Sequence, residues 1–479
     1  MSASAQQAPV DRGTVELTEV ERAEDALTAA MLKPWTGDLD GMVARGFVRM
    51  GVTQEPVSFV YDGPEQHGIA VDLGREFEAH LRARLGTRAQ TLTVALLPLT
   101  RDKMIDALVS GRVDVLAANL TVTPRRAEQV DFADPMLRDV RELVVTGPAA
   151  PPVASLDDLT TVPVRARPSS SYHEHLVALN ATRASDGARP IRIMPAEEAL
   201  EDYDLAELVD VGVMPAIILD SHKAGLYAQL FKHLTVHDDL AINEGGEIAW
   251  AIRKGSPQLM DATNAFVAKA RKGTELGNIL YRRWITDPTR VVNAIAPGED
   301  TKFVETIGFI KRYATDYGFD PVLIAAQGYQ ESALDQSKRS AAGAIGIMQV
   351  MPATARDPNV GISDIDVAEH NVEAGVKYLR HLRDVYFNDP AITSFDQACL
   401  AFAAYNAGPG NIRKARIRSE SMGLDPNVWF GNVEVAAGRT ISREPVVYVR
   451  NILKYYTSYQ IFQSNTDATG TPPPAEGSP

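Results

Sequence analysis

The sequence has little cysteine and no long apolar run, and each absence excludes a class of protein. Cys399 is the single cysteine among 479 residues, so no disulfide can form within the chain. It stands in the apolar run 398–402, which predicts a buried structural thiol rather than a nucleophile. No segment reaches the ~18 consecutive apolar residues that a membrane-spanning helix needs, so the sequence predicts no such helix.

Concentrated positive charge is absent as well. The formal net charge is −14, and Lys and Arg do not gather into a run. Proteins that bind DNA or RNA neutralise phosphates with such clusters, so we expect no nucleic-acid partner. The first residues, MSASAQQAPVDRG, lack the basic start and apolar stretch of a signal peptide.

The overall amino-acid composition is typical of a globular protein. Apolar residues make up 45% and charged residues 23% of the chain, and the length is sufficient for more than one domain. Between residues 44 and 290, short apolar runs alternate with amphipathic segments, which predicts an α/β domain. The predicted strands are 47–52, 91–97 and 113–117, the predicted helix is 103–110, and segment 69–85 is interpreted as a strand that runs into a helix.

Beyond about residue 300 the strand pattern stops and helical spacing takes over. Asp320 and Pro321 are typical of an N-cap followed by proline in the first helical turn, which predicts a helix from Pro321 to Ser332. Further helices are predicted over 371–385, 395–406 and 446–460. We therefore expect an N-terminal extension (1–43), an α/β domain (44–290), a mainly α domain (291–465) and a disordered tail (466–479), with the boundary near residues 287–302.

The α/β region contains a motif of known type. Ser110, Gly111 and Asp114 form Ser-Gly-x-x-Asp, and Thr121, Thr123 and Arg126 follow as Thr-x-Thr-x-x-Arg. Gly68 and Asp72 add a Gly-x-x-x-Asp step. Together these residues resemble the periplasmic amino-acid-binding proteins, solute-binding family 3, and this resemblance implies a bilobal periplasmic-binding-protein type II fold.

The resemblance also implies a ligand site between the two lobes. A guanidinium pairs with a carboxylate through two hydrogen bonds, so Arg126 is a candidate for a ligand carboxylate, whereas a solvated arginine is the alternative. Asp220, at the end of the predicted strand 217–220, is a candidate for a ligand ammonium or else a plain loop acid. Thr121, Thr123 and Ser170 would supply further polar contacts.

The mainly α region contains three motifs whose order and spacing are those of a known family. They are Gln330-Glu331-Ser332-Ala333, the run SAAGAIGIMQVMP from residue 340 to 352, and Ala404-Tyr405-Asn406-Ala407-Gly408-Pro409-Gly410. In this order and spacing they resemble the catalytic domain of soluble-type lytic transglycosylases, which has the lysozyme-like fold. That resemblance implies an enzyme that cleaves the MurNAc-GlcNAc β-1,4 bond of peptidoglycan and leaves 1,6-anhydromuramyl ends.

The resemblance assigns Glu331 as the catalytic acid and base, because cleavage of a glycosidic bond needs a proton on the leaving oxygen. Tyr448 would orient Glu331. The remaining candidates for contact with the glycan are Ser332, Met348, Gln349, Tyr405, Asn406 and Tyr448, with core packing as the alternative for Met348. No motif supplies a second carboxylate, since Asp335 is interpreted as a loop or cap residue and Glu369 and Glu373 as helix residues beside the cleft.

Two other interpretations remain open from the sequence. A goose-type lysozyme-like hydrolase would add water, and a non-catalytic sensor would only bind peptidoglycan. The spacing of His and Cys residues indicates no metal site, and we expect no cofactor.

Both domains in this order are typical of membrane-bound lytic transglycosylases of the bacterial envelope. We therefore expect peptidoglycan glycan strands as the substrate and an amino-acid or muropeptide effector at the first domain. We expect the protein in the periplasm or cell envelope, held at the outer membrane by a segment absent from this sequence.

Overall fold

The computed structural model describes residues 17–62, 65–286 and 301–469. The predicted boundary near residues 287–302 and most of the predicted tail lie outside these residues. Contacts divide the chain into two compact units, Met31–Gly298 with Leu453–Pro479, and Met1–Ala30 with Glu299–Ile452. Among the helices that the structure describes, none combines the length and apolar character needed to cross a membrane.

The first unit is an α/β structure. Its strands are β1 (Phe47–Val52), β2 (Val60–Asp62), β3 (Glu65–His67), β4 (Thr93–Pro98), β5 (Val115–Thr121), β6 (Asp131–Phe132), β7 (Leu137–Thr146), β8 (Val164–Ala166), β9 (Ile193–Pro195), β10 (Ala216–Asp220) and β11 (Thr235–Ile252). After α1 (Glu19–Leu32), the helices up to residue 281 are α2 (Leu39–Arg45), α3 (Ile69–Leu85), α4 (Arg101–Val109), α5 (Pro124–Ala127), α6 (Ser171–Ser185), α7 (Asp202–Asp210), α8 (Ser221–Leu230), α9 (Pro257–Ala270) and α10 (Glu275–Tyr281).

One mixed sheet runs through this unit in the order β4-β1-β5-β11-β7-β10-β8-β9, and β6 also pairs with β11. Strand β1 is parallel to β4 and to β5, whereas β11 is antiparallel to both β5 and β7. The long strand β11 thus joins a first lobe around β4-β1-β5 to a second lobe around β7-β10-β8-β9. The expected bilobal α/β architecture is confirmed.

Most predicted elements of the first unit are confirmed, with one exception. Segment 69–85 is helical throughout and does not begin as a strand. Its apolar start, Ile69-Ala70-Val71, suits a strand by composition, but buried residues recur through Leu73, Phe77 and Leu81 at helical spacing. Gly68 precedes the helix with a φ of 129°, and a Cβ there would lie 2.1 Å from the carbonyl oxygen of Ser58.

Asp114, the acidic residue of the Ser-Gly-x-x-Asp motif, has a structural role in the first lobe. Asp114 is fully buried, and its Oδ1 lies 2.8 Å from Nη2 of Arg49, which is buried as well. Asp114 also accepts a hydrogen bond from the backbone N–H of Arg49 at 2.8 Å. Because a buried charge needs a partner, this pair connects the loop before β5 to β1.

The second unit is helical where the structure describes it. Its helices are α11 (Thr301–Tyr317), α12 (Pro321–Ser332), α13 (Pro352–Arg356), α14 (Ala368–Tyr386), α15 (Ser394–Ala407), α16 (Pro409–Ser421), α17 (Glu434–Thr440) and the first part of α18 (Glu444–Thr469). Asp25 of α1 also belongs to this unit, where it pairs with Arg418 of α16 at 2.9 Å. The predicted helices of this region are confirmed.

Two helices form the centre of the second unit. Residues 322–328 of α12 and 398–404 of α15 are buried without interruption. Helical segments that are buried on all sides and mainly apolar are typical of a core position. Cys399 is 4% exposed, so the predicted buried thiol is confirmed, and burial raises the pKa of this thiol well above its usual range.

Candidate active site

Glu331 lies in the last turn of α12, at the point where the buried helix reaches the surface of the second unit. Ala333 and Leu334 follow with φ values of 57° and 61°, so two consecutive left-handed residues end the helix directly after Glu331 and Ser332. The side chain of Glu331 is half-buried, and burial raises the pKa of its carboxyl group to about 7. A carboxyl group with this pKa is protonated in a large fraction of molecules at neutral pH.

Tyr448, in the first turns of α18, provides the hydrogen bond to Glu331. Its hydroxyl group donates to Oε1 of Glu331 at 2.5 Å, and Tyr448 itself is 5% exposed. This hydrogen bond lowers the pKa of Glu331 and so opposes the larger effect of burial. Burial and the adjacent Glu331 raise the pKa of the Tyr448 phenol well above its usual range, so the phenol remains a donor.

Gln327 is a further member of this network that the sequence did not reveal. It lies on α12, one turn before Glu331, and is fully buried. Its Nε2 donates to the hydroxyl oxygen of Tyr448 at 3.3 Å, whereas its Oε1 has no partner within the described part of the chain. A polar residue in the otherwise apolar stretch 322–328 of α12 was the available signal, because most buried polar groups make at least one hydrogen bond.

The loop between α12 and α13 packs against α14 through Asn371. This residue is fully buried, accepts from the backbone N–H of Met348 at 2.8 Å and donates to the carbonyl oxygen of Ile345 at 2.8 Å. Gly346 has a φ of 77°, and a Cβ there would lie 2.6 Å from Nδ2 of Asn371. The glycine is therefore required for the close approach of the loop to α14.

Gln349 follows in this loop with a φ of 44°, a left-handed conformation that is strained for a residue other than glycine. Its Nε2 donates to the carbonyl oxygen of Gly346 at 2.8 Å. Strained backbone of this kind is frequent at functional sites. The structure leaves Gln349 half-buried, so it remains a candidate for contact with a substrate.

Two residues predicted to contact the substrate, Ser332 and Met348, are buried in this structure. Ser332 is 3% exposed, and its hydroxyl donates to the carbonyl oxygen of Ile347 at 2.9 Å and accepts from the N–H of Asp335 at 3.0 Å. Met348 has no exposed surface, and it packs against Gly328 and Gly375. Both residues hold the loop against α12 and α14, which agrees with the alternative of core packing for the Met348 side chain.

Tyr405 and Asn406 lie at the end of α15 and are half-buried. The hydroxyl of Tyr405 donates to the carbonyl oxygen of Met348 at 2.8 Å, and Glu331 contributes to raising the pKa of its phenol, so Tyr405 is close to both the loop and the acid. Nδ2 of Asn406 is 3.4 Å from Oε1 of Glu444, at the start of α18. The structure thus gathers Glu331, Tyr405 and Tyr448 in one region.

Among the described residues, no carboxyl group contributes to the pKa shift of Glu331. Besides burial, the groups that shift its pKa are Tyr448 and Lys338, and both of them lower it. Asp335 accepts from the N–H and the hydroxyl of Ser337, which confirms its interpretation as a loop residue. Glu369 accepts from the hydroxyl of Tyr313 at 3.0 Å, on the adjoining helix α11.

Four of the five candidate ligand residues of the first unit line a pocket between its lobes. Thr121, Arg126, Ser170 and Asp220 all lie in its wall. Nη1 and Nη2 of Arg126 donate to the carbonyl oxygens of Thr121 and Ser169, each at 3.0 Å. Since each of these nitrogens carries two hydrogens, one hydrogen on each is not used in these two bonds.

Asp220 is the acidic member of this pocket. It is 2% exposed, its Oδ2 accepts from Nδ2 of Asn119 at 2.9 Å, and its Oδ1 has no partner among the residues described. Burial raises the pKa of its carboxyl group to about 7. Two basic residues, Arg101 and Arg167, also line this pocket. Nη2 of Arg101 and Nε of Arg167 are buried and have no hydrogen-bond partner among the described residues.

Two of the predicted ligand contacts, Thr123 and Ser170, also act as helix caps. The Thr123 side chain accepts from the backbone N–H of Arg126 at 3.3 Å and begins α5. The Ser170 hydroxyl accepts from the N–H of His173 at the start of α6 and donates to the carbonyl oxygen of Arg167 at 2.7 Å. Both hydroxyl groups therefore have partners within the protein. Within the described ranges, no group of three or more His, Cys, Asp or Glu side chains is placed to hold a metal ion.

Comparison with known proteins adds two family matches. Residues 308–425 match the transglycosylase SLT domain, and residues 48–287 match the bacterial extracellular solute-binding proteins of family 3. These matches agree with the two resemblances that the sequence motifs indicated.

Curated relatives cover both regions together. The membrane-bound lytic murein transglycosylase F of Maricaulis maris is 31% identical, over 82% of this chain and 85% of the relative. The protein of the same name from Desulfosudis oleivorans is 28% identical, over 81% of this chain and 84% of the relative. Among solved structures, an ancestral arginine-binding protein bound to arginine matches 50% of this chain and 98% of its own, with 22% identity and a TM-score of 0.41.

Proposed function

Because the chain belongs to the family of membrane-bound lytic murein transglycosylase F, and is thus a peptidoglycan lytic transglycosylase, we propose that Glu331 is its single catalytic acid and base. The observation that carries this proposal is the environment of the carboxyl group. Burial raises its pKa to about 7, while one phenol hydroxyl holds it in place. Such a group can donate a proton at neutral pH and take one back.

In the first step, the protonated Glu331 gives its proton to the glycosidic oxygen, and the bond from that oxygen to the muramyl C1 breaks. The positive charge that develops at C1 is stabilised by the N-acetyl group of the same sugar. Glu331 is then a carboxylate, and the hydrogen bond from Tyr448 stabilises this form.

In the second step, the carboxylate of Glu331 removes the proton of the C6 hydroxyl group, and O6 forms a bond to C1. The product is a 1,6-anhydromuramyl end, and no water is consumed. Glu331 returns to its protonated form. The sequence motifs supply no second carboxylate, which supports this route over a hydrolytic one, because most glycosidases that use water need two carboxyl groups.

Gln349, Tyr405 and Asn406 are the proposed contacts for the glycan, since each is half-buried near the loop or helix that carries Glu331. Gln327 is proposed as a positioning residue. Its amide donates to Tyr448 and so holds the phenol oxygen in the geometry that serves Glu331.

We also propose that an amino acid or a muropeptide binds between the lobes of the first unit and changes the rate of the second. Asp220 with its unpartnered oxygen would accept the ligand ammonium, and Arg126 with Arg101 would face the ligand carboxylate. The proposed locations are the periplasm and the outer membrane, as for a membrane-bound enzyme of the cell envelope.

The catalytic assignment is tested with Glu331→Gln, which retains the shape of the side chain and removes its proton. Loss of general acid catalysis alone typically costs about 10²- to 10⁴-fold, and one residue serves twice here, so turnover should fall by the upper value or more. Release of soluble muropeptides from purified peptidoglycan measures it. A variant that retains more than about a tenth of the activity would contradict the assignment.

A further inference from the structure

Lys454 is a buried lysine on α18, the helix that also carries Tyr448. It is 4% exposed, and its Nζ lies 2.7 Å from Oε2 of Glu207 and 3.5 Å from Oδ1 of Asp204. Both carboxylates are themselves buried, and both lie on α7 of the first unit. A buried charge is costly unless it is paired, so these contacts fix the position of Lys454.

The boundary between the two units falls within α18. It lies between Ile452 and Leu453, so Lys454 and α7 are parts of the first unit, whereas Tyr448 is part of the second. Six positions separate Tyr448 from Lys454, which corresponds to about 9 Å along a helix axis. Sharp kinks in helices occur mainly at Pro or Gly, and residues 449–453 include neither. The ion pair at Lys454 therefore restrains the part of the helix that presents Tyr448.

Helix α7, to which Lys454 is attached, is itself held at its start. Oε2 of Glu201, the residue before the helix, lies 2.6 Å from Nε of Arg101. Asp202, the first residue of the helix, lies 2.6 Å from Nζ of Lys223. All but the last residue of α7 are buried. Because its start is paired and its length is packed, α7 is a firm support for Lys454.

The contact that depends on the position of α18 is the hydrogen bond from Tyr448 to Glu331. Its length is 2.5 Å, and hydrogen bonds weaken steeply when their geometry departs from the optimum. Besides burial, Tyr448 and Lys338 are the groups that shift the pKa of Glu331 in the described residues, and Lys338 follows α12 rather than belonging to α18. A movement of α18 at Lys454 therefore reaches Glu331 through Tyr448.

From these contacts we infer that Lys454 and Glu207 are positioning residues for the catalytic centre. The pair holds α18 so that the hydroxyl group of Tyr448 stays within hydrogen-bond distance of Glu331. The inference rests on the proposed roles of Glu331 and Tyr448. It goes beyond them because it gives Glu207, a residue of the first unit, a part in the reaction of the second.

Lys454→Met and Glu207→Gln in the full chain test this role. Each weakens the ion pair, so the hydrogen bond from Tyr448 should weaken, and the decrease of kcat/KM with rising pH should move to higher pH, as in Tyr448→Phe. The maximal rate should fall by about two- to tenfold, the effect of one weakened hydrogen bond. In the Tyr448→Phe background neither substitution should move the profile further. Rates on soluble glycan fragments across a pH series measure these effects.

Arg418→Met is the matched control. Arg418 also forms a buried ion pair, with Asp25 at 2.9 Å, but it lies on α16 and not on α18. Its substitution should lower the unfolding temperature and leave the pH profile of the reaction unchanged.

Thermal unfolding shows which variants fold. Lys454→Met decides if it folds, and otherwise Glu207→Gln decides, since its amide oxygen still accepts from Lys454 and the change is milder. A folded variant that keeps the wild-type pH profile, or that lowers the rate equally in the Tyr448→Phe background, would show that the pair is only structural and would overturn the inference. An active Glu331→Gln variant would instead contradict the proposed catalytic assignment, so the two failures are distinguishable.

Discussion

The hydroxyl group of Tyr448 donates a 2.5 Å hydrogen bond to Oε1 of Glu331, although 117 positions of sequence separate the two residues. The contact joins the start of α18 to the end of α12. It opposes the effect of burial on the pKa of Glu331, and the result is a carboxyl group with a pKa of about 7. Both protonation states are accessible at neutral pH, as a residue that serves as acid and then as base requires.

Tyr448→Phe should change the pH dependence of the reaction. The first step needs protonated Glu331, so kcat/KM should decrease as the pH rises through about 7 in the wild type. The variant loses a donor that favours the carboxylate, so the pKa of Glu331 rises and this decrease moves to higher pH. The maximal rate should fall by roughly tenfold or more, since a hydrogen bond to a charged group is lost. A pH–rate profile on soluble glycan fragments measures both effects, and a decrease that stays in place or moves to lower pH would contradict the role of Tyr448.

Gln327→Leu should act on Glu331 through Tyr448. Without the amide donor, the phenol is a weaker donor, and the decrease of kcat/KM should move to higher pH by less than in Tyr448→Phe. The control is the same substitution in the Tyr448→Phe background, where it should leave the pH profile unchanged. A purely structural role would instead lower the rate equally in both backgrounds at all pH values.

Arg126→Ala should abolish the response to an effector and leave basal turnover unchanged. Amino acids and muropeptides are first screened by calorimetry on the full chain, and each binder is then added to the activity assay. A coupling of about 5- to 150-fold is typical of allosteric effects. If no compound binds, or if a binder leaves the rate of the wild type unchanged, the proposed regulation is wrong.

The sequence motifs predicted the helices of the second unit and the position of Glu331 because apolar spacing and caps are local properties. The resemblance to a family suggested that Tyr448 lies near Glu331. The role of Gln327 was not predicted, because it depends on Tyr448, which lies 121 positions away in the sequence. Ser332 and Met348 were assigned to the substrate because they belong to the motif, but their side chains hold the loop to its neighbouring helices. A motif thus contains residues that shape a site as well as residues that contact its ligand.

The most direct test of the catalytic account is mass spectrometry of peptidoglycan digested by the wild-type chain in ¹⁸O-labelled water. If Glu331 acts alone through the C6 hydroxyl, the muramyl ends are 1,6-anhydro species, lighter than hydrolytic products by one water and free of ¹⁸O. A digest in which most muramyl ends are reducing and carry ¹⁸O would show that water attacks C1, and would contradict the account.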